Sequence, residues 1–317
     1  MKKWQFAAQI TISVLIVFLL LSDADLSSIG SALRQSQWIW LGGALILKML
    51  SLLLHEYRLW LALTAPRPKL TLTMQIGFAS GALNLVLPAR AGDIAAIALL
   101  KKMCNLRSGI AAYAVGMAAF FEAAMFGLSM LIVLLLHAPE WKEKLGETLH
   151  AQTFQWITLF TFGGIAIAIL TAIIGIRLRP QEDQVEGFSP KQMLLDAIQQ
   201  TGRGFRQPLY ITLNILAASI EVWMMVASFA MALIALGIAI PNPWAISGLI
   251  LGFSALASIV LPPTYGAGTT AACVFVLGLF GIDQSLALAY SALWWLVSQV
   301  PATILGLPCL IALRNRS

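Results

Sequence analysis

Long apolar runs separated by short polar stretches organise this chain. Runs at Trp4–Leu21, Trp38 to about Leu54, Ile110–Leu136, Phe154–Ile176, Leu209–Ile238 and Leu286–Leu313 can each cross roughly 30 Å of hydrocarbon as a helix. They predict six full spans. Two other regions, Leu70–Lys102 and Trp244–Ile282, each hold two shorter apolar stretches around a break rich in proline and glycine. The breaks are Pro88-Ala-Arg-Ala-Gly92 and Pro262-Pro-Thr-Tyr-Gly-Ala-Gly268. Each region predicts a helical hairpin.

The basic residues decide how these elements thread. If each broken region enters and leaves on one side of the membrane, fifteen of the twenty Lys and Arg residues fall on the cytoplasmic side. Arg34, Lys142 and Lys144 fall outside, and Lys48 and Arg90 lie within apolar segments. This is the bias of the positive-inside rule. A single full crossing through Leu70–Leu87 would strand Lys101, Lys102 and Arg107 outside, because Ile94–Leu100 reaches only about 10 Å as a helix. The expected fold class is therefore all-α: a polytopic integral membrane protein with about six full spans plus two oppositely entering re-entrant helix hairpins. Paired hairpins of this kind are the pattern of inverted-repeat transporters, with the tips expected to approach each other near the midplane.

The N- and C-termini are expected in the cytoplasm, and residues 1–317 read as one transmembrane domain of the cytoplasmic (inner) membrane. The one sizeable polar segment, residues 177–207, reads as a cytoplasmic loop carrying an interfacial amphipathic helix. Ser189 is placed to cap that helix and Pro190 to open it, with Met193, Leu194, Ala197 and Ile198 on one face.

Composition sharpens the class. The chain is 59% hydrophobic and 11% charged, with mean hydropathy +0.85. Its net charge of +6 sits beside apolar runs rather than in a stripe, so topology explains it and nucleic acid is not an expected partner. Cys104, Cys273 and Cys309 show no paired spacing, so no disulfide, metal site or cofactor is expected. The sequence has no catalytic constellation and no soluble segment large enough for an enzyme domain, and the protein is read as a non-enzyme.

Arg90 is the residue hydrocarbon tolerates least, and an ionisable group at membrane depth marks a candidate functional site. Helices are expected to begin after Gly92, at Asp93, and after Gly268, at Thr269 or Thr270. A helix N-terminus offers unpaired N–H groups and a positive dipole. Gly92, Gly266 and Gly268 let the backbone approach a ligand, and Pro88 creates the first break. Arg90 supplies a planar cation suited to phosphate, and Asn84, Thr264, Tyr265, Thr269 and Thr270 supply neutral hydrogen-bonding groups.

Asp93 has two readings, as a ligand group or as a helix cap paired with Arg90. Glu122 and Glu221, near the middle of their spans, read either as proton-coupling acids or as charge balance for Arg90 and Lys48. His55, Glu56 and Arg58 read as snorkelling at the cytoplasmic interface.

Asn84-x3-Pro88-x-Arg90-Ala-Gly92-Asp93 resembles the Asn-x3-Pro-x-Arg-Ala-Gly-Glu signature of the lysylphosphatidylglycerol synthase transmembrane-region family. The stretch from Pro262 to Gly268 is similar to that family's second motif. The chain departs from the pattern at Asp93, Ala96, Tyr265 and Ala271, which replace Glu, Arg, Gly and Glu. The resemblance implies a flippase-like domain that moves an anionic or phosphate-bearing lipid, its head group bound between the hairpin tips. The alternative is a non-transporting lipid-binding scaffold, or an accessory subunit of a lipid or polyprenyl-glycan pathway. Partners implied are a phospholipid or polyprenyl-linked lipid, with a homo-oligomer or a pathway enzyme as further possibilities.

Overall fold

The computed structural model describes residues 25–63, 67–86, 91–136, 143, 146–177, 190–260 and 266–315. Among these residues the chain forms eleven helices and no strand. They are α1 (Leu26–Arg34), α2 (Trp38–Ala62), α3 (Leu70–Val86), α4 (Ala91–Cys104), α5 (Ser108–Leu136), α6 (Glu147–Arg177), α7 (Pro190–Phe205), α8 (Pro208–Ala235), α9 (Pro243–Val260), α10 (Ala267–Leu279) and α11 (Gln284–Arg314). Helix is the only regular structure that closes every backbone hydrogen bond within a single strand crossing lipid.

Five of the six expected spans are long, apolar helices: α2, α5, α8, α11 and residues 151–177 of α6. The first, Trp4–Leu21, lies outside the described residues. The chain is thus a polytopic all-α membrane protein. The α6 flank exposes Leu159, Phe160, Ile167 and Leu170, a surface that only lipid tails solvate at no cost.

Local sequence sets several helix starts. Pro190, Pro208 and Pro243 each stand first in α7, α8 and α9, where a missing N–H costs nothing. Asp25 caps α1, accepting from Ser27 N at 2.9 Å and from Ser28 Oγ at 2.6 Å, and these donors pull its carboxyl down to about 2. At the end of α2, Arg67 Nε donates to Leu63 O at 2.7 Å and its guanidinium covers the Tyr210 ring at 3.9 Å.

The chain divides into two compact units. One comprises Met1–Leu50, Ser129–Gln155 and Trp223–Pro301; the other comprises Ser51–Leu128, Trp156–Val222 and Ala302–Ser317. The long helices α2, α5, α6, α8 and α11 each contribute to both, and each unit holds one helical hairpin.

In the first unit α9 packs against α10. Its core holds Phe229 stacked on Trp294 at 3.6 Å between centroids, with Leu233, Ile246, Leu249 and Val276 fully buried. Tyr290 donates to Phe229 O at 3.2 Å.

In the second unit α3 packs against α4 over a core of Leu59, Leu63, Ile76, Leu100 and Ala111. A neighbouring cluster of Tyr113, Met117, Phe121 and Ala218 also receives Ala197 of α7. The helix expected in segment 177–207 is therefore present, but it docks rather than floats. Ile198 O of α7 approaches Gly175 of α6, where any side chain would collide with it, and Gly204 faces the Tyr113 hydroxyl in the same way. Its buried positions are Gln200, Thr201, Gly202 and Gly204, whereas Leu194 is 61% exposed. The face with small residues seats the helix, and Leu194 stands on the exposed face.

Candidate functional site

Two side chains of α3, Asn84 and Ser80, bridge the α3–α4 hairpin. Asn84, in the last turn of α3, accepts from Gly92 N at 2.7 Å through Oδ1 and donates to Asp93 Oδ1 at 2.8 Å through Nδ2. Ser80 Oγ donates to Gly92 O at 2.7 Å. A Cβ on Gly92 would collide with the Ser80 carbonyl and the Asn84 amide, so glycine is what lets the two helices touch. Asn84 and Gly92 thus act as the hairpin's own fastening. Helix α4 begins at Ala91, two residues before the expected Asp93, which puts Asp93 in its first turn and Lys101 and Lys102 in its last. Both placements complement the helix dipole. Pro88 and Arg90 lie outside the described residues.

The α9–α10 hairpin begins its second helix earlier than expected as well. Helix α10 starts at Ala267 with Gly266 as its N-cap at φ 91°, a left-handed conformation that favours glycine. Thr270 N donates to Gly266 O at 2.8 Å. Gly268 is buried, while Thr269 and Thr270 are half-buried within the first turn. They lie within the helix rather than at the start the sequence suggested. Thr264 and Tyr265 lie outside the described residues.

The largest polar assembly in the second unit was not foreseen as one. Arg58 is fully buried, and all three nitrogens of its guanidinium are engaged. It donates to Glu221 Oε2, to Asn214 Oδ1 at 3.1 Å and to Ala118 O at 2.6 Å. Asn214 Nδ2 returns a bond to Arg58 O at 3.2 Å. The other Glu221 oxygen meets His55 Nδ1 at 2.9 Å, and Glu122 Oε2 lies 3.6 Å from the same nitrogen. Glu221 is 3% exposed, whereas His55 and Glu122 are each 28% exposed. His55 and Glu122 are thus the partly exposed edge of a network whose other members are buried.

Helix α2 explains the misreading. The apolar run was expected to end near Leu54, which would put His55, Glu56 and Arg58 at an interface, free to snorkel. The helix instead runs two turns further to Ala62, because Leu59, Leu61 and Leu63 are buried and draw it into the bundle. The three polar side chains then point at α3, α5 and α8. Glu221 balances Arg58. Lys48 belongs to the first unit, where its ammonium lies 6.0 Å from the Phe229 ring centroid, at the edge of cation–π range.

His55, Glu122 and Glu221 bring one possible ligand atom each within 4.8 Å of one another, from three different helices. Sequence spacing could not reveal that set. Arg58 on Glu221 opposes a divalent cation there, since its charge acts at close range in a low dielectric. A small pocket lined by Tyr113, Gly204, Gln207, Tyr210 and Asn214 adjoins the assembly through Asn214.

The described residues thus define a polytopic helical membrane protein with two helical hairpins and a buried charge network. The lysylphosphatidylglycerol synthase TM region family model matches residues 6–306, and the chain belongs to that family. No curated protein matches the chain. Membership makes this a multi-pass membrane protein of a lipid-related family.

Proposed function

We propose that the protein translocates an anionic, phosphate-bearing lipid across the cytoplasmic membrane, with both termini in the cytoplasm, and that it is not an enzyme. One observation carries the reading. Arg90 immediately precedes the N-terminus of α4, in a hairpin whose helices of 17 and 14 residues, about 25 Å and about 20 Å long, are each shorter than the roughly 30 Å hydrocarbon core. A guanidinium beside a helix N-terminus is a phosphate receptor.

Asp93, fastened by Asn84, holds the start of α4 in place beside it. Gly266 and the first turn of α10, with Gly268, Thr269 and Thr270, supply a second helix N-terminus of the same kind. Acyl or prenyl tails remain in lipid while the head group moves. The family assignment supports a lipid as the partner.

The test is transbilayer movement of labelled phospholipid and of labelled polyprenyl phosphate in proteoliposomes, wild type beside Arg90→Ala. Loss of a charge-assisted contact worth about 1.5–3 kcal/mol predicts a roughly tenfold to hundredfold slower rate. Equal rates for both proteins would refute the assignment. Lipid held by the wild type without movement would instead favour a lipid-retaining scaffold.

A further inference from the structure

Glu56 stands apart from the ion-pair network beside it. It is 5% exposed, and among the described residues its Oε2 has no hydrogen-bond partner. Its carboxyl occupies the space a side chain at Gly77 would fill, so it lies directly against the backbone of α3. An unpaired carboxylate oxygen buried beside a helix in lipid is costly. The hydrogen bonds of Arg58 go instead to Glu221, Asn214 and Ala118.

The titratable groups within electrostatic reach of Glu56 come from five helices, and α3 itself carries none. They are His55 on α2 itself, Asp93 on α4, Glu122 on α5 and Glu221 on α8, with Cys309 on α11. Arg58 offsets Glu221. That leaves Glu56 and Glu122 against the single imidazole of His55, an excess of negative charge that a proton on Glu56 removes. Glu122 and His55, each 28% exposed, form the edge of the network that water can reach. Glu56 is 5% exposed and lies against Gly77 of the hairpin.

We propose that Glu56 is a proton-exchanging carboxyl that couples the α3–α4 hairpin to the transmembrane proton gradient. This rests on the translocation reading and supplies its energy source. With a proton bound, Glu56 is neutral and sits against Gly77. When the proton leaves by the edge at His55 and Glu122, a second negative charge comes within reach of Asp93. Like charges in a low dielectric repel strongly, and the hairpin is driven away from α2. Gly77 gives the carboxyl its seat, and Asp93 is the point on α4 at which the charge acts.

The substitution Glu56→Gln keeps the shape and hydrogen-bonding capacity of the protonated side chain while removing the exchange. Wild-type proteoliposomes are expected to redistribute labelled anionic lipid according to an imposed pH gradient. Glu56→Gln proteoliposomes should move lipid but reach the same distribution with or without the gradient. A gradient response retained in Glu56→Gln, or wild-type movement that follows a sodium gradient and ignores the pH gradient, would overturn the proposal.

Infrared difference titration of the purified protein is a second readout that requires no transport. A protonated-carboxyl C=O band should titrate in wild type and be missing from Glu56→Gln. Its persistence in the variant would overturn the assignment even if no lipid moved. Failure of lipid movement in wild type beside a titrating band would count against translocation instead.

Discussion

Arg58 and Glu221 are the residues on which the second unit's interior depends most. Removing one member of a buried ion pair leaves the other uncompensated, at a cost of about 3–5 kcal/mol, while replacing both with apolar groups is often neutral. Arg58→Met is therefore expected to lower stability by about that amount. The double variant Arg58→Met/Glu221→Leu should recover most of the loss. Unfolding in mixed micelles measures both, and additive losses in the double variant would show that the pair is not a unit.

The pair was only half legible in the sequence. Glu122 and Glu221 stood out as mid-span acids, but their partner was sought in Arg90 and Lys48 because the apolar run of α2 seemed to stop short of Arg58. The missed signal was spacing. His55 and Arg58 stand three apart on α2, and Asn214 and Glu221 stand seven apart on α8, so each helix carries a polar stripe on one face. Two matching stripes on apolar spans are partners before they are interface residues.

At the scale of elements, hydropathy located the described spans, and proline and glycine located both hairpins. Helix starts were off by a few residues because capping depends on backbone conformation. Gly266 caps α10 through its φ, and Asn84 fastens α4 across nine residues of sequence. Docking of α7 was beyond the sequence, since amphipathicity alone describes a helix lying on a membrane.

What seats α7 is backbone against backbone. A Cβ on Gly202 would collide with Gly175 and Ile176, and one on Gly175 with Ile198 and Gly202. Gly202→Val should therefore pry α7 from α6 at a cost of about 1–3 kcal/mol. Hydrogen exchange should rise across Pro190–Phe205 and stay unaltered in α8. Unaltered exchange in α7 would mean that the glycine contact does not hold the helix.

For the whole molecule, the decisive property is which face of the membrane reaches the tip of the α3–α4 hairpin. Lys69 before α3 and Lys101 and Lys102 at the end of α4 place both ends of the hairpin on the side that holds most of the Lys and Arg. A pair of full crossings would satisfy that count equally well, so charge alone does not distinguish a re-entrant hairpin from two spans. Length does. Helices of about 25 Å and about 20 Å stop short of the far side of a hydrocarbon core of about 30 Å. A tip that stops inside must be wrapped in protein or water wherever its backbone is not helical, because lipid satisfies no backbone polar group. In a background lacking Cys104, Cys273 and Cys309, a cysteine at Ala89 should then react slowly with small aqueous thiol reagents, and only from the cytoplasmic face. Rapid labelling from the external face would place the tip across the membrane. It would also leave the Arg90 charge in the outer head-group region, where it could not carry a head group through the interior.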